Sequence, residues 1–347
     1  SDLARRLLDI FPQTLSANDA ARQQAEKALH DFSEMPGFGK ALVEIFVSGG
    51  QVPLQYRQFA GIYLKKFITE HWSNIANKFR YPEIQDAEKQ KIKEMLPQAI
   101  GDPEKKIRTT AAMVVASIAE WDWPKRWDGV VKHLVQSLKS NNPNMVLGAV
   151  SCLDFLATGD YLASRQIPPL VNIVFDPLLS ILSEQQAHPQ LVAPMWHVMT
   201  GIFRWFGALD KDMPAVVMQR QEYWTKLMTS YLQRDDMSNA NLEIKIRIMQ
   251  IITYLMKDAP KIAKPLLPFF MPYIWQDLVK ALPVYIKTFV NGDTETSGTF
   301  TTSTGQELSF DSYVLMILEV LRMTAVRPQF RKLLGAEHLS ELLVLMG

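Results

Sequence analysis

The sequence predicts an all-α fold, a right-handed α-solenoid of antiparallel helix pairs, on three observations. Apolar residues recur at spacings of three and four from one end of the 347-residue chain to the other, with few alternating runs. The stretches between periodic segments are short and carry turn chemistry, as in Ser48-Gly49-Gly50, Gly101-Asp102-Pro103 and Ser140-Asn141-Asn142-Pro143. One eight-residue pattern also returns in phase through the first half. Length alone would allow about two domains, but unbroken helical periodicity argues for one continuous stack.

The elements follow in order. A first helix spans 3–15, with Leu3, Leu7, Leu8, Phe11 and Leu15 on one stripe, and pairs with a second over 20–32. Segments 37–46 and 53–72 make the next pair, then 86–100 with 103–121, and 125–138 with 144–157. Pro53 and Pro103 stand where proline is welcome, in a first helical turn. Further pairs join 167–183 to 189–206 and 213–232 to 241–257. The stretch 262–289 reads as a long or broken helix because of its prolines. Helices over 311–324 and 329–345 follow, the last presenting Leu333, Leu334, Leu339, Leu342, Leu343 and Leu345 to a further repeat. Between them, 291–309 is expected to be a mobile insertion. It is rich in Gly and Thr and poor in apolar residues, the composition of a tolerated surface insertion; the alternative is that 299–304 forms a short hairpin when a partner covers it.

The recurring pattern is Arg22-x-x-Ala25-x-x-x-Leu29, then Arg57-x-x-Ala60-x-x-x-Leu64, Arg108-x-x-Ala111-x-x-x-Val115, and Val146-x-x-Ala149-x-x-x-Leu153 without its arginine. The small residue lets a helix approach its neighbour, and the residue four later lies on the same face. Six residues before Arg108, Asp102 stands at the turn between two helices, where it can cap one and receive an arginine from a stacked neighbour. Arg22, Arg57, Arg108 and Asp102 are therefore read as a structural ladder, with Arg22 in the terminal repeat mattering least. Such spacing resembles HEAT repeats.

Composition narrows the function. With 37 Lys+Arg against 36 Asp+Glu the net charge is +1, and 20 basic against 17 acidic residues up to position 140 give way to 17 against 19 beyond. No polycationic nucleic-acid arm or acidic tail exists. The single cysteine, Cys152, forbids an intrachain disulfide and any zinc site built on several thiolates, and it sits on an apolar stripe as a small core residue. The start, Ser1-Asp2-Leu3, lacks a signal-peptide pattern, and the apolar stretch 265–275 is too short to span a bilayer. A cytosolic or nuclear protein without membrane insertion is expected. The missing initiator Met and an end inside a helical pattern suggest a piece of something longer.

Catalytic signals are missing. The six histidines are scattered, and none forms a His-Glu-x-x-His helix. Gly292-Asp293-Thr294-Glu295-Thr296-Ser297-Gly298 lacks the Gly-Lys-Ser/Thr ending of a phosphate loop, and Asp235-Asp236 sits in a polar turn. No enzyme, cofactor or metal is expected. Trp121, Trp123 and Trp127 cluster at a joint between repeats; large rings filling a corner, with Pro124 opening the next helix, account for them better than base stacking.

Several of these stretches resemble the amino-terminal region of importin-β-type karyopherins. They are 21–29 (Ala21-Arg22-Gln23-Gln24-Ala25-Glu26-Lys27-Ala28-Leu29), Met35-Pro36-Gly37-Phe38, and above all Tyr56-Arg57-Gln58-Phe59-Ala60-Gly61-Ile62-Tyr63-Leu64-Lys65-Lys66 followed by His71-Trp72. Ile118-Ala119-Glu120-Trp121-Asp122-Trp123-Pro124 is similar to the importin-9 branch. The resemblance implies HEAT repeats over 1–130 that receive Ran-GTP, continuing without a break through 131–347. It also implies a shuttling nuclear import receptor for basic cargo such as core histones or ribosomal proteins, with nucleoporins as further partners. An exportin or biportin of the same family is the alternative; a static HEAT scaffold is disfavoured by Leu64-Lys65-Lys66 and Trp72. On a helix over 53–72, Gln58, Ile62, Lys65 and Thr69 make a stripe beside the buried side. The resemblance assigns this stripe to the GTPase, with Lys65 carried over from the family's Leu-Lys pair and Lys66 more loosely. Lys89, on the polar first helix of the next pair, is expected to be inert surface.

Overall fold

Apolar periodicity and capping residues fix the helices of the computed structural model, which describes residues 1–14, 16–184, 189–209, 213–290 and 299–333 together with 335 and 340. The chain divides into two compact units, Ser1–Ala163 and Ser164–Gly347.

The first unit holds α1 (Asp2–Thr14), α2 (Asp19–Ser33), α3 (Phe38–Phe46), α4 (Leu54–His71), α5 (Asp86–Met95), α6 (Lys105–Asp122), α7 (Gly129–Ser137) and α8 (Pro143–Thr158). Asn18 caps α2, its side-chain oxygen accepting from the Ala20 and Ala21 N–H groups at 3.0 and 3.2 Å. Asn142 caps α8, with Pro143 in the first turn. First helices α1, α3 and α5 pack on one another, and second helices α4, α6 and α8 form a parallel row. The repeated pattern supplies the seam of that row: Ala60, Leu64, Ala111, Val115, Ala149 and Leu153 are all buried, as are Ala25 and Leu29 on α2. Gly148 marks the tightest approach, since a Cβ there would lie 1.8 Å from the Ile100 carbonyl oxygen.

The tryptophan corner differs from expectation in one respect. Pro124 does not open a helix; the Trp123–Pro124 bond is cis and α7 begins at Gly129. A charge network ties the turn down instead. Lys93 Nζ donates to Asp122 Oδ2 at 3.0 Å and to the Arg126 carbonyl at 2.9 Å, and Arg126 pairs with Asp122 Oδ1 at 2.8 Å. Trp123 is buried there, with Trp121 and Trp127 half-buried.

The second unit holds α9 (Ile167–Ser183), α10 (Pro189–Arg204), α11 (Phe206–Leu209), α12 (Ala215–Gln219), α13 (Gln221–Leu232), α14 (Asn239–Asp258), α15 (Pro260–Tyr285), α16 (Phe310–Val326) and α17 (Pro328–Arg331). Helices α9, α13 and α15 form one row and α10, α14 and α16 the other. The stretch Ser164–Ser183 has the length and composition of a membrane span, but its apolar face is buried against α10 and α13. The segment 213–232 is two helices, α12 and α13, meeting at Arg220, whose guanidinium pairs with Asp176 at 3.0 and 3.1 Å. Helix α15 runs through Pro265, Pro268, Pro272 and Pro283, all on its exposed side, where water can satisfy the carbonyls that lose a helical partner. Lys245 and Asp277 form a buried pair at 2.8 Å between α14 and α15. Burial and then the Asp277 charge push the nearby Tyr313 hydroxyl's pKa up.

The inserted segment is also corrected in part. Strands β1 (Thr299–Thr301) and β2 (Glu307–Ser309) pair antiparallel, Phe300 facing Leu308, and the hairpin is seated on α14 within the chain itself. Residues 291–298 lie outside the described residues, as do Leu15, Leu334, Leu339, Leu342, Leu343 and Leu345.

Candidate functional site

Helix α4 owes its two-sided character to the repeat. Arg57, Ala60, Gly61, Leu64, Phe67, Ile68 and His71 are buried, which turns 58, 62, 65 and 69 outward along one edge. Ile62 is 62% exposed. Gln58, Lys65 and Thr69 are half-buried. The Lys65 ammonium rests 3.4 Å from the Met113 sulfur on α6, and the Thr69 hydroxyl donates to the Lys65 carbonyl at 2.9 Å.

Lys65 and Thr69 open into a cleft of about 520 Å³ between the row of second helices and the 73–85 loop. Lys65, Lys78, Glu120, Trp121, Asp160 and Tyr161 are among the side chains that line it. Burial pushes the Glu120 carboxyl's pKa up, and burial followed by the Glu120 charge raises that of the Tyr161 phenol. Lys66 does not join this group. One residue further round the helix, it faces a separate cleft of about 190 Å³ with Tyr63, Glu70, Glu26 and Tyr81.

The arginines part company. Arg57 donates Nε to the Phe46 carbonyl at 3.1 Å and pairs through Nη2 with Asp102, both side chains being buried. Asp102 Oδ1 also accepts the Glu104 N–H at 2.9 Å, so one carboxylate serves its own turn and the preceding repeat. Arg108 turns back on that turn, donating to the Asp102 and Pro103 carbonyls at 2.6 and 2.8 Å. Arg22 is not a rung. It pairs with Asp19 on its own helix, because the position matching Asp102 in the next repeat, six before Arg57, is Gln51 and exposed.

His71 and Trp72 are structural as well. His71 Nδ1 lies 2.8 Å from the Pro82 carbonyl, and Trp72 is buried with the Lys89 ammonium 5.7 Å from its ring centroid. Lys89 is therefore not inert surface: it is 4% exposed and bonded to Glu83 at 2.6 Å. Among the described residues no three His, Cys, Asp or Glu side chains converge as metal ligands, and burial pushes the Cys152 thiol's pKa up.

Residues 25–102 match the family described as "Importin-beta N-terminal domain", a span containing Arg57, the α4 face and Asp102. Over 327 residues, 91% of this chain and 31% of the relative, the chain is 26% identical to importin-9 of Drosophila melanogaster. The chain is thus similar to importin-β-type receptors over most of its length, with the matched family domain at residues 25–102. It is also 30% identical over 181 residues, half of this chain, to importin subunit beta-5 of Schizosaccharomyces pombe, covering 18% of that relative. The chain thus spans about a third of the length of importin-9 and less of the other. Its fold is that of the exportin Cse1 in its cargo-free, cytoplasmic state, with a TM-score of 0.70 at 14% identity over 99% of this chain and 36% of that one. The S. cerevisiae bidirectional receptor Lph2 gives 0.65 at 14% identity over 97% and 35%.

The carboxylates that share the cleft with Lys65 escaped sequence reasoning. Glu120 and Asp160 lie 55 and 95 residues beyond Lys65, and no local pattern joins them. The one available signal was the polar Glu120 beside Trp121 at the end of a repeat.

Proposed function

We propose that this chain carries the N-terminal repeats of a nuclear import receptor, that the α4 edge (Gln58, Ile62, Lys65 and Thr69, with Lys66 at its margin) binds Ran-GTP, and that basic proteins such as core histones or ribosomal proteins are its cargo. Nucleoporin binding and shuttling between cytoplasm and nucleus go with that reading; among fold neighbours, one structure is titled as a Kap95:Nup1 complex. The observation that carries it is Ile62, exposed between half-buried Gln58 and Lys65 on a face that opens into a cleft. An apolar centre with a lysine at its edge is the composition of a protein interface, where the ammonium adds steering and register.

The test is a pull-down with Ran loaded with GTP and, separately, GDP, each with and without core histones. Selective capture of the GTP form with loss of histone supports an import receptor. Capture of Ran-GTP strengthened by cargo makes the protein an exportin, and equal capture of both nucleotide forms rejects the reading.

A further inference from the structure

We propose that the β1–β2 hairpin is an internal occupant of a recognition recess on α14, and that this recess accepts a cationic side chain of a basic protein segment in its place. The inference concerns the second unit and stands without the α4 assignment.

Glu243 projects from the second-helix row with only 3% of its surface exposed. Its carboxylate accepts the Ser303 N–H at 3.1 Å and the Ser303 hydroxyl at 2.7 Å, and among the described residues no cation pairs with it. One turn along α14, Arg247 donates to the Gln306 side-chain oxygen at 3.0 Å and to that of Gln250 at 3.1 Å. Both hairpin contacts come from a turn closed on itself. The Thr302 N–H donates to the Gln306 carbonyl at 2.7 Å, the Gln306 N–H to Thr302 Oγ1 at 2.8 Å, and Gly305 takes φ +87°. Thr302 and Leu308 are buried, while Thr304, Gly305, Gln306 and Glu307 are exposed.

A buried carboxylate satisfied by neutral donors is under-matched. A lysine or arginine brought to the position of the Ser303 hydroxyl makes a charge-assisted hydrogen bond, roughly twice as strong as a neutral one. Arg247 adds a second requirement, an amide or carboxylate oxygen three residues after the cation, at the place Gln306 now fills. The hairpin is poorly equipped to resist such a competitor. It has three residue pairs, and a two-stranded ribbon of that size has little stability of its own.

The experiment uses the chain with 299–309 replaced by a Gly-Ser segment of equal length, its fold checked by circular dichroism and melting temperature. The probes are two fluorescein-labelled synthetic peptides, the native 299–309 sequence and the same sequence with Ser303→Lys. Fluorescence anisotropy should show the lysine peptide binding at least fivefold more tightly, and Glu243→Gln in the same background should abolish that preference. Equal affinities, no binding to the folded protein, or a preference that survives Glu243→Gln would overturn the proposal. A second measurement covers a replacement that fails to fold. In the intact chain, Glu243→Gln should speed hydrogen exchange across 299–309 at least tenfold and leave α10 and α16 unchanged; unaltered exchange in the hairpin would overturn it equally.

Discussion

Replacing Arg57 with alanine probes the contact that ties two successive repeats at buried atoms. Asp102, 8% exposed, would keep its bond from the Glu104 N–H but lose its charged partner, and the Phe46 carbonyl would lose its side-chain donor. Removing one member of a buried ion pair costs about 3–5 kcal/mol because the other is left as an uncompensated charge. The remaining N–H bond to Asp102 places the expected loss near the lower end, about 3 kcal/mol. Arg57→Ala combined with Asp102→Ala should be less destabilised than the sum of the single changes by about 2 kcal/mol, the coupling expected of groups in direct contact. Urea titration combined with hydrogen exchange of α4 and α6 amides assigns the loss to the first unit. Arg22→Ala is the control: its partner Asp19 lies on the same helix and both are solvated, so about 0–1 kcal/mol is expected. An Arg57→Ala protein within about 0.5 kcal/mol of wild type, with no coupling to Asp102, would refute the reasoning.

Three further outcomes follow from other contacts. Lys89→Glu should lower the melting temperature sharply, because it sets a carboxylate against Glu83 in a buried site; an unchanged melt would return Lys89 to the surface. Gly148→Ala should cost about 1–3 kcal/mol in a denaturant titration, since the new methyl collides with the Ile100 backbone and forces a helix shift; a neutral result would mean α8 moves freely. Glu120 is a carboxyl whose pKa burial raises, so the folded state binds its proton more tightly than the unfolded chain does. That contribution favours folding at low pH and is lost as pH rises from the ordinary glutamate value through the raised one. Glu120→Gln should therefore stabilise the first unit at neutral pH and flatten its stability profile across that window, and an unaltered profile would contradict the shift.

What the sequence made legible is whatever repeats within a helical turn. Ala60 and Leu64, or Ala111 and Val115, declare their burial through spacing alone, and the Asn142-Pro143 start of α8 declares itself through capping chemistry. Contacts that join distant segments were not legible. Lys89 looked like solvent-facing charge because its burial depends on Trp72 and Glu83, which lie outside its helix. Arg22 matched the repeat pattern but lost its rung to a glutamine 29 residues later. The hairpin was misread for the same reason: its composition cannot order it, and Glu243 and Arg247, some 60 residues earlier, do. On the α4 edge, position could be derived from periodicity; that Glu120 and Asp160 line the same cleft required the fold.

The most direct test of partner recognition on α4 is a titration of Ran-GTP against the wild-type chain and against Lys65→Glu, with melting temperatures measured on the same samples. Loss of a lysine contact across a partly dry interface costs about 2 kcal/mol or more. Binding should weaken at least tenfold, about 1.4 kcal/mol, with the melting temperature unmoved. Equal affinity of the two proteins for Ran-GTP would contradict the assignment of this face to the GTPase.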